Sequence, residues 1–525
     1  MTSPTDVSWA HLVVAAMGRR PRDVAFRGHG LVRTHGESRD RAVRFAHALA
    51  ARGIGPGSRV ALVVEDRADA VEAYLGVGLT GATAVHVNDR LAGPEIAEVL
   101  SRANAGTVCV TAGHADRLDD LFRGSGLDVI GLGGPAPAGD GRAPGRAGFV
   151  SYERLVSAGS TATPDAPIDP DLPGIVGFTS GTTGRAKGVV HTHRNLARIV
   201  RHLPSHDGLR WGSRCGFTGT LAFVAGVWGV VLPHLYVGGE ISFLAGFTPD
   251  RWVDAMIRER TNFTYAPTPL MSAFAAEVRR RPQVLTHLDG VLHSGSLADR
   301  DTVAGLVDAI GPRYVETYGM TETGAPVTAT VPDDWRPGCA ADDPFASAGR
   351  AVPIASVSIV GRDGTRLPPG ETGEIVVRSD TLFEGYLGDP AATAEALADG
   401  ALRTGDLGSL DEAGFLYVRG RLKDMIVTGG MNVYPAEVEQ VLALGDGVAE
   451  VAVFGVSHPR WGETVTAAVV PRPGVTVDTS ALDTLVRSRL ASYKKPTAIH
   501  VVDALPRTAS LKVRKDELRK RFDAS

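Results

Sequence analysis

The residues best suited to chemistry stand together in Gly177-Phe178-Thr179-Ser180-Gly181-Thr182-Thr183-Gly184-Arg185-Ala186-Lys187-Gly188. An apolar run, 175–178, leads in as the end of a buried strand. The small residues after it let a phosphate approach the backbone, whose N–H groups can fold inward as a nest. Thr179, Ser180, Thr182 and Thr183 add hydroxyl donors, and Lys187 adds a mobile positive charge. From Gly181 the spacing is Gly-x-x-Gly-x-x-Lys, not the Gly-x-x-x-x-Gly-Lys-Ser/Thr of the nucleoside triphosphatase P-loop. Taken alone, the stretch also fits a flexible surface loop, since glycine, serine and threonine are ordinary loop residues.

Four further strings follow in order. They are Glu316-Thr317-Tyr318-Gly319-Met320-Thr321-Glu322, Thr404-Gly405-Asp406-Leu407-Gly408, Gly420-Arg421-Leu422-Lys423-Asp424 and Pro506-Arg507-Thr508-Ala509-Ser510-Leu511-Lys512. In this order and spacing the five resemble the adenylate-forming superfamily of acyl-CoA synthetases, peptide-synthetase adenylation domains and firefly-type luciferases. Acyl- and aryl-CoA ligases are the nearest in look, and the resemblance covers nearly the whole chain.

The resemblance implies an enzyme that joins a small-molecule carboxylic acid to AMP at the expense of ATP, with Mg2+, and then to the thiol of CoA. An acyl carrier protein is the alternative acceptor, and a non-thiol nucleophile the third. Lys512 would be the catalytic lysine, assisted by Thr321 and Glu322, with Glu322 the magnesium ligand. Thr179, Ser180, Gly181, Thr182, Thr183 and Lys187 would hold the departing pyrophosphate. Gly295 and Ser296 would lie against the adenine, Tyr318 would stack on it, and Thr317 would adjoin it. Glu316 would accept from its amino group. Asp406 would take the ribose hydroxyls, since one carboxylate has acceptors for a vicinal diol, with Arg421 beside them. Lys423 would be the hinge, and Gly430 would line the passage of the thiol arm. Relatives place glycine directly before the catalytic lysine, whereas this chain has Leu511.

The acyl pocket would be lined by Phe223, Val224, Gly226, Ser294, Gly319 and Met320. Amino-acid-activating relatives place an aspartate where Val224 stands, and a buried unpaired ammonium is costly, so an α-amino acid is disfavoured. Relatives specific for the shortest acids carry tryptophan at the place of Gly319, so glycine implies a medium, long or aromatic acid. Phe223 and His193 each also fit a plain structural role, as a core aromatic and a core histidine.

Elements must hold these residues apart and in order. Helical spacing over 38–53, 68–79 and 93–103 alternates with apolar strands at 59–64, 82–87 and 107–111, the rhythm of parallel sheets covered on both faces. Residues 131–148 read as a long exposed loop, and 353–419 as short strands with glycine turns. The expected fold is therefore α/β and α+β. A large domain, 1–421, holds two parallel-type sheets and a β-rich subdomain, and a small mobile α+β domain, 422–525, carries Lys512. The 525 residues exceed one ordinary core. A net charge of −4 gives no electrostatic reason to expect nucleic acid or an anionic membrane. Three scattered cysteines, no apolar leader and no membrane-length run point to a reduced, cytoplasmic protein with buried thiols, as monomer or homodimer.

Overall fold

The computed structural model describes residues 8–133, 149–157, 159–164, 167–179, 186–244, 248–508 and 512–523. Ser180, Gly181, Thr182, Thr183, Leu511 and nearly all of the expected 131–148 loop lie outside them.

Valine-rich runs bounded by glycines make the strands. Within Arg59–Val63, Val60 to Val63 are buried, as strands covered on both faces require. Asp128–Leu132, Thr107–Thr111, Arg59–Val63, Thr83–Val87 and Pro173–Thr179 lie side by side and parallel, part of an eight-stranded sheet among the described residues. A second sheet, of nine strands, has a parallel centre of Val24–Gly28, Glu240–Phe243, Arg214–Phe217, Phe263–Tyr265, Gly290–His293 and Tyr314–Tyr318. Helices cover these sheets. The helix Ala68–Leu79 is buried along its whole length, and its Glu72 is neutralised by Arg33 at 2.8 Å and Arg41 at 2.9 Å. An uncompensated carboxylate there would be prohibitive. The α/β and α+β reading of the sequence agrees with this architecture.

By density of contacts the chain forms two compact units. One comprises Met1–Ser356 and Val377–Leu402, the other Val357–Val376 and Arg403–Ser525. The second unit has its own core, centred on Ile426, Val433, Val453 and Val465, under the long antiparallel pair Val448–His458 and Gly462–Pro471. The basic tail closes it as the helix Lys515–Asp523, anchored by Leu518. Two thiols, Cys109 and Cys215, are buried, and burial pushes both well above their ordinary range. Cys339 is half-buried, unlike the expectation for all three.

Asp207 ends the helix His193–His206, with its carboxyl buried and its Oδ1 without a partner. Burial raises its pKa from 3.8 to about 8. The unfolded chain therefore releases this proton first, so stability falls as pH rises from about 4 to about 8 and is flat above. Asp207→Asn should remove that fall and gain on the order of 5 kcal/mol over the parent at pH 8. Urea unfolding at pH 5 and pH 8 measures this, and an equal difference at both would contradict it.

Candidate active site

In the first unit, Pro173–Thr179 and Lys187–Thr192 run antiparallel, with Thr179 opposite Lys187 and Phe178 opposite Gly188. The hydroxyl-rich stretch therefore joins two strands. The helix that follows, His193–His206, begins only after the second, capped by Thr192 Oγ1 accepting from the Asn195 N–H at 3.1 Å. Among the described residues, the helix dipole that follows this stretch therefore lies beyond the second strand, not directly after Thr179. The Lys187 ammonium lies 4.5 Å from the centre of the Tyr386 ring.

Two parallel neighbours, Gly290–His293 and Tyr314–Tyr318, bring residues 293–296 and 316–322 together at their carboxyl ends. In open α/β sheets this is where crevices form. His293, fully buried, stands opposite Glu316. Its Nδ1 lies 2.9 Å from both Glu316 oxygens, and Tyr314 donates its hydroxyl to the same carboxylate. On the far side, Thr268 Oγ1 is 2.8 Å from His293 Nε2 and 2.5 Å from Ser296 Oγ. Both oxygens of Glu316 are thus already engaged by protein groups, whereas the sequence reading reserved them for an adenine. Thr317 donates to the His293 carbonyl at 3.0 Å, and Tyr265 to that of Ser294 at 2.6 Å. Gly295 is exposed with φ of +87°, a conformation that favours glycine. Tyr318, half-buried at the end of its strand, is followed by Gly319 and Met320.

Thr321 and Glu322 lie on a single 3-10 turn, Thr321–Thr323. His191, buried and pushed down to a pKa of about 4 by desolvation, faces the Thr321 carbonyl with Nε2 at 2.8 Å. The Phe383 N–H donates to the Glu322 carbonyl at 2.8 Å. The Glu322 carboxylate is buried, and Tyr386 donates its hydroxyl to Oε1 at 2.9 Å.

The candidate pocket segment is held just as tightly. Asp66 accepts from the Leu221 N–H, and burial raises its pKa to about 6 against that bond and the Thr220 hydroxyl. His86, pushed down to about 4 by burial, sits between the Tyr74 hydroxyl at 2.7 Å and the Ala222 carbonyl at 3.0 Å. Phe223 is half-buried, with the Arg90 guanidinium 5.7 Å from its ring centre, and is no core aromatic. Val224 is buried against Gly177. Gly226 opens a one-turn π-helix, Gly226–Val231, a form frequent at functional sites. A Cβ there would meet the Thr220 carbonyl at 2.4 Å, so backbone packing alone demands this glycine. At Gly319 a Cβ would lie 3.1 Å from Ala325 O and Pro326 Cα, a tight contact that adds a local reason for glycine.

In the second unit, Asp406 and Arg421 face one another across an antiparallel pair, and Arg421 Nε meets Asp406 Oδ1 at 2.7 Å. Lys423 is exposed in the turn Leu422–Asp424. Gly430 follows Gly429 in a two-residue hairpin turn where both have positive φ. Lys512 is exposed, its carbonyl accepting from the Thr508 N–H at 2.8 Å.

Sequence reasoning missed Tyr386, Thr268, Asp66 and His86, and passed over His191. None stands in a chemically marked string; partners 64 to 155 residues away reveal four of them. Thr268, 28 residues from Ser296, is likewise evident only once the strands are paired.

The chain matches the AMP-binding enzyme family over residues 13–387 and the AMP-binding enzyme C-terminal domain over 437–512. A feruloyl-CoA synthase of Amycolatopsis sp is 34% identical over 502 residues, 96% of each chain. An indoleacetate–CoA ligase of Aromatoleum aromaticum is 36% identical over 479 residues, 91% of this chain and 90% of that one. The crystal structure of ATP-bound MatB from Rhodopseudomonas palustris superimposes with a TM-score of 0.86 at 29% identity, covering 98% of this chain and 99% of that one. A lysine-bearing hairpin, a buried carboxylate on the neighbouring turn and a match along nearly all the chain agree, and this protein belongs to the AMP-binding enzyme family.

Proposed function

We propose that this enzyme activates a carboxylic acid with ATP and transfers the acyl group to the thiol of CoA. The observation that carries the reading is the meeting of Lys187 and Glu322 on Tyr386, an ammonium suited to phosphate and a buried carboxylate suited to a metal. An aromatic or a medium- to long-chain acid is the substrate. Relatives named for feruloyl and indoleacetate substrates support the aromatic choice, and apolar Val224 offers no partner to an ammonium.

A carboxylate oxygen attacks the α-phosphorus, and the bond to pyrophosphate breaks. The CoA sulfur then attacks the acyl carbon, and AMP leaves. The protein's share is to hold reactants in line and offset charge. Lys187 with Thr179, Ser180, Gly181, Thr182 and Thr183 holds the leaving pyrophosphate. Thr321 donates to phosphate, Asp406 and Arg421 take the ribose, and Lys512 bridges the carboxylate and the α-phosphate. Among the described residues no three His, Cys, Asp or Glu gather to hold a metal. Glu322 alone suits Mg2+, which takes most of its oxygens from phosphate and water. Bound there, Mg2+ would neutralise charge on the phosphates. Gly319 and Met320 line the acyl pocket, and Gly430 faces the thiol arm. Use of ATP and CoA supports a cytoplasmic setting for the reaction.

Pyrophosphate release across a panel of acids, with and without CoA, tests the assignment. Acid-dependent release that never yields a thioester would overturn the acceptor. Lys512→Ala should slow ATP–pyrophosphate exchange by about a hundredfold or more, yet leave thioester formation from supplied acyl-adenylate within about twofold. Equal losses would remove Lys512 from the first half-reaction. Gly319→Trp should shift preference toward short acids beyond any effect of Gly319→Ala, which shares the tight Cβ contact. Identical acid profiles for the two would take Gly319 out of the pocket.

Lys423 tests alternation between the half-reactions. It sits inside a 3-10 turn, whose φ proline adopts readily while barring large excursions. Lys423→Pro should keep pyrophosphate exchange and lose thioester formation, the opposite pattern to Lys512→Ala. Parental thioester formation by this variant would place the hinge elsewhere.

A further inference from the structure

Tyr386 belongs to none of the chemically marked strings, yet two of them meet on it. It lies on the short strand Gly385–Tyr386, paired antiparallel with Lys187–Thr192 so that Tyr386 faces Val189. Its N–H donates to Thr393 Oγ1 at 2.9 Å, and the Phe383 ring packs edge-on at 4.9 Å. Backbone and ring are therefore fixed from both sides. The ring lies 4.5 Å from the Lys187 ammonium, and the hydroxyl donates to Glu322 Oε1 at 2.9 Å. A phenol that donates to a carboxylate gains electron density over its ring, so the anion it holds strengthens its hold on the cation.

We infer that Tyr386 is a positioning residue for the nucleotide, setting the separation of Lys187 and Glu322 so that both reach one polyphosphate. The inference rests on the roles proposed above for those two residues. Lys187 is half-buried at the start of its strand and Glu322 lies on a separate turn, and a lysine side chain is rich in rotamers, so a common anchor narrows where its ammonium sits relative to the carboxylate. The short strand supplies that anchor because it is hydrogen-bonded to the lysine's own strand. The Glu322 turn reaches the same ring through the Phe383 N–H.

Tyr386→Phe keeps the ring and removes the hydroxyl, whereas Tyr386→Leu removes both contacts. In ATP–pyrophosphate exchange, Tyr386→Phe should raise KM for MgATP about tenfold and leave KM for the acid unchanged. Tyr386→Leu should raise it further, by about another tenfold. Calorimetric titration of ATP should separate the two contacts. Tyr386→Phe loses part of the affinity added by Mg2+ but keeps metal-free ATP affinity within about twofold, while Tyr386→Leu loses some of each. Thioester formation from supplied acyl-adenylate handles no pyrophosphate and should remain at the parental rate in both variants. Losses shared by both half-reactions, or a matching rise in KM for the acid, would make Tyr386 a packing residue and overturn the inference. Parental nucleotide affinity in both variants would overturn it as well. Glu322→Gln distinguishes this from failure of the underlying reading. If that variant keeps the full Mg2+ effect, the role of Glu322 is wrong. If it loses the effect while Tyr386→Phe does not, the inference alone falls.

Discussion

Backbone groups at the ends of buried strands lose the partners that a sheet gives them, and few can stay unpaired away from water. The candidate site is built on the answer to that constraint. His191 reaches the Thr321 carbonyl, His86 the Ala222 carbonyl and Asp66 the Leu221 N–H. Thr381 donates to the Thr323 carbonyl at 2.9 Å. Each of these side chains ties a turn to an element far away in sequence. The turns that carry Thr321, Glu322 and Phe223 are therefore as fixed as the strands beneath them, without belonging to a ladder. The cost is a set of buried polar groups, bearable only because the histidines are held neutral and the acid is bonded.

The fold was legible because its signal is repetitive. Strands at 59–63, 83–87 and 107–111, with helices between, announce themselves by alternation, and the parallel order follows from the crossovers. Individual charged residues such as Glu322, Asp406 and Lys512 stand out in the sequence because short strings carry them. What surrounds them was not. Pairing of Gly290–His293 with Tyr314–Tyr318 is what sets His293 against Glu316, and no spacing within either segment encodes it. Glu316, read from the sequence as an acceptor for a ligand, is also met by His293 and Tyr314 of the protein itself. Phe223 was open to a core role because hydrophobicity does not say that Arg90 will cover one face. Gly226 and Gly319 also answer to backbone contacts that a sequence does not display.

These features share a pattern in which chemistry-bearing side chains are few and their supports many. Glu322 has a carboxylate partner, a backbone partner and, through Thr321, a buried histidine beneath its turn. Substituting such supports should disturb geometry at a distance before it disturbs stability, because each adds a bond to a turn already framed by strands. The polar centre of the first unit is thus a property of the sheets' ends as much as of the residues that name the family.

The placement of the three cysteines has a practical corollary. Cys109 and Cys215 lie wholly inside the first unit, their thiols held protonated by burial, while Cys339 is partly open to solvent. Alkylation requires a thiolate that a reagent can reach. A native molecule therefore presents one addressable sulfur and an unfolded one three, so mass spectrometry after a brief pulse of iodoacetamide counts opened molecules directly. The chain carries its own unfolding gauge, and a single dye can be attached at Cys339 without altering any other residue.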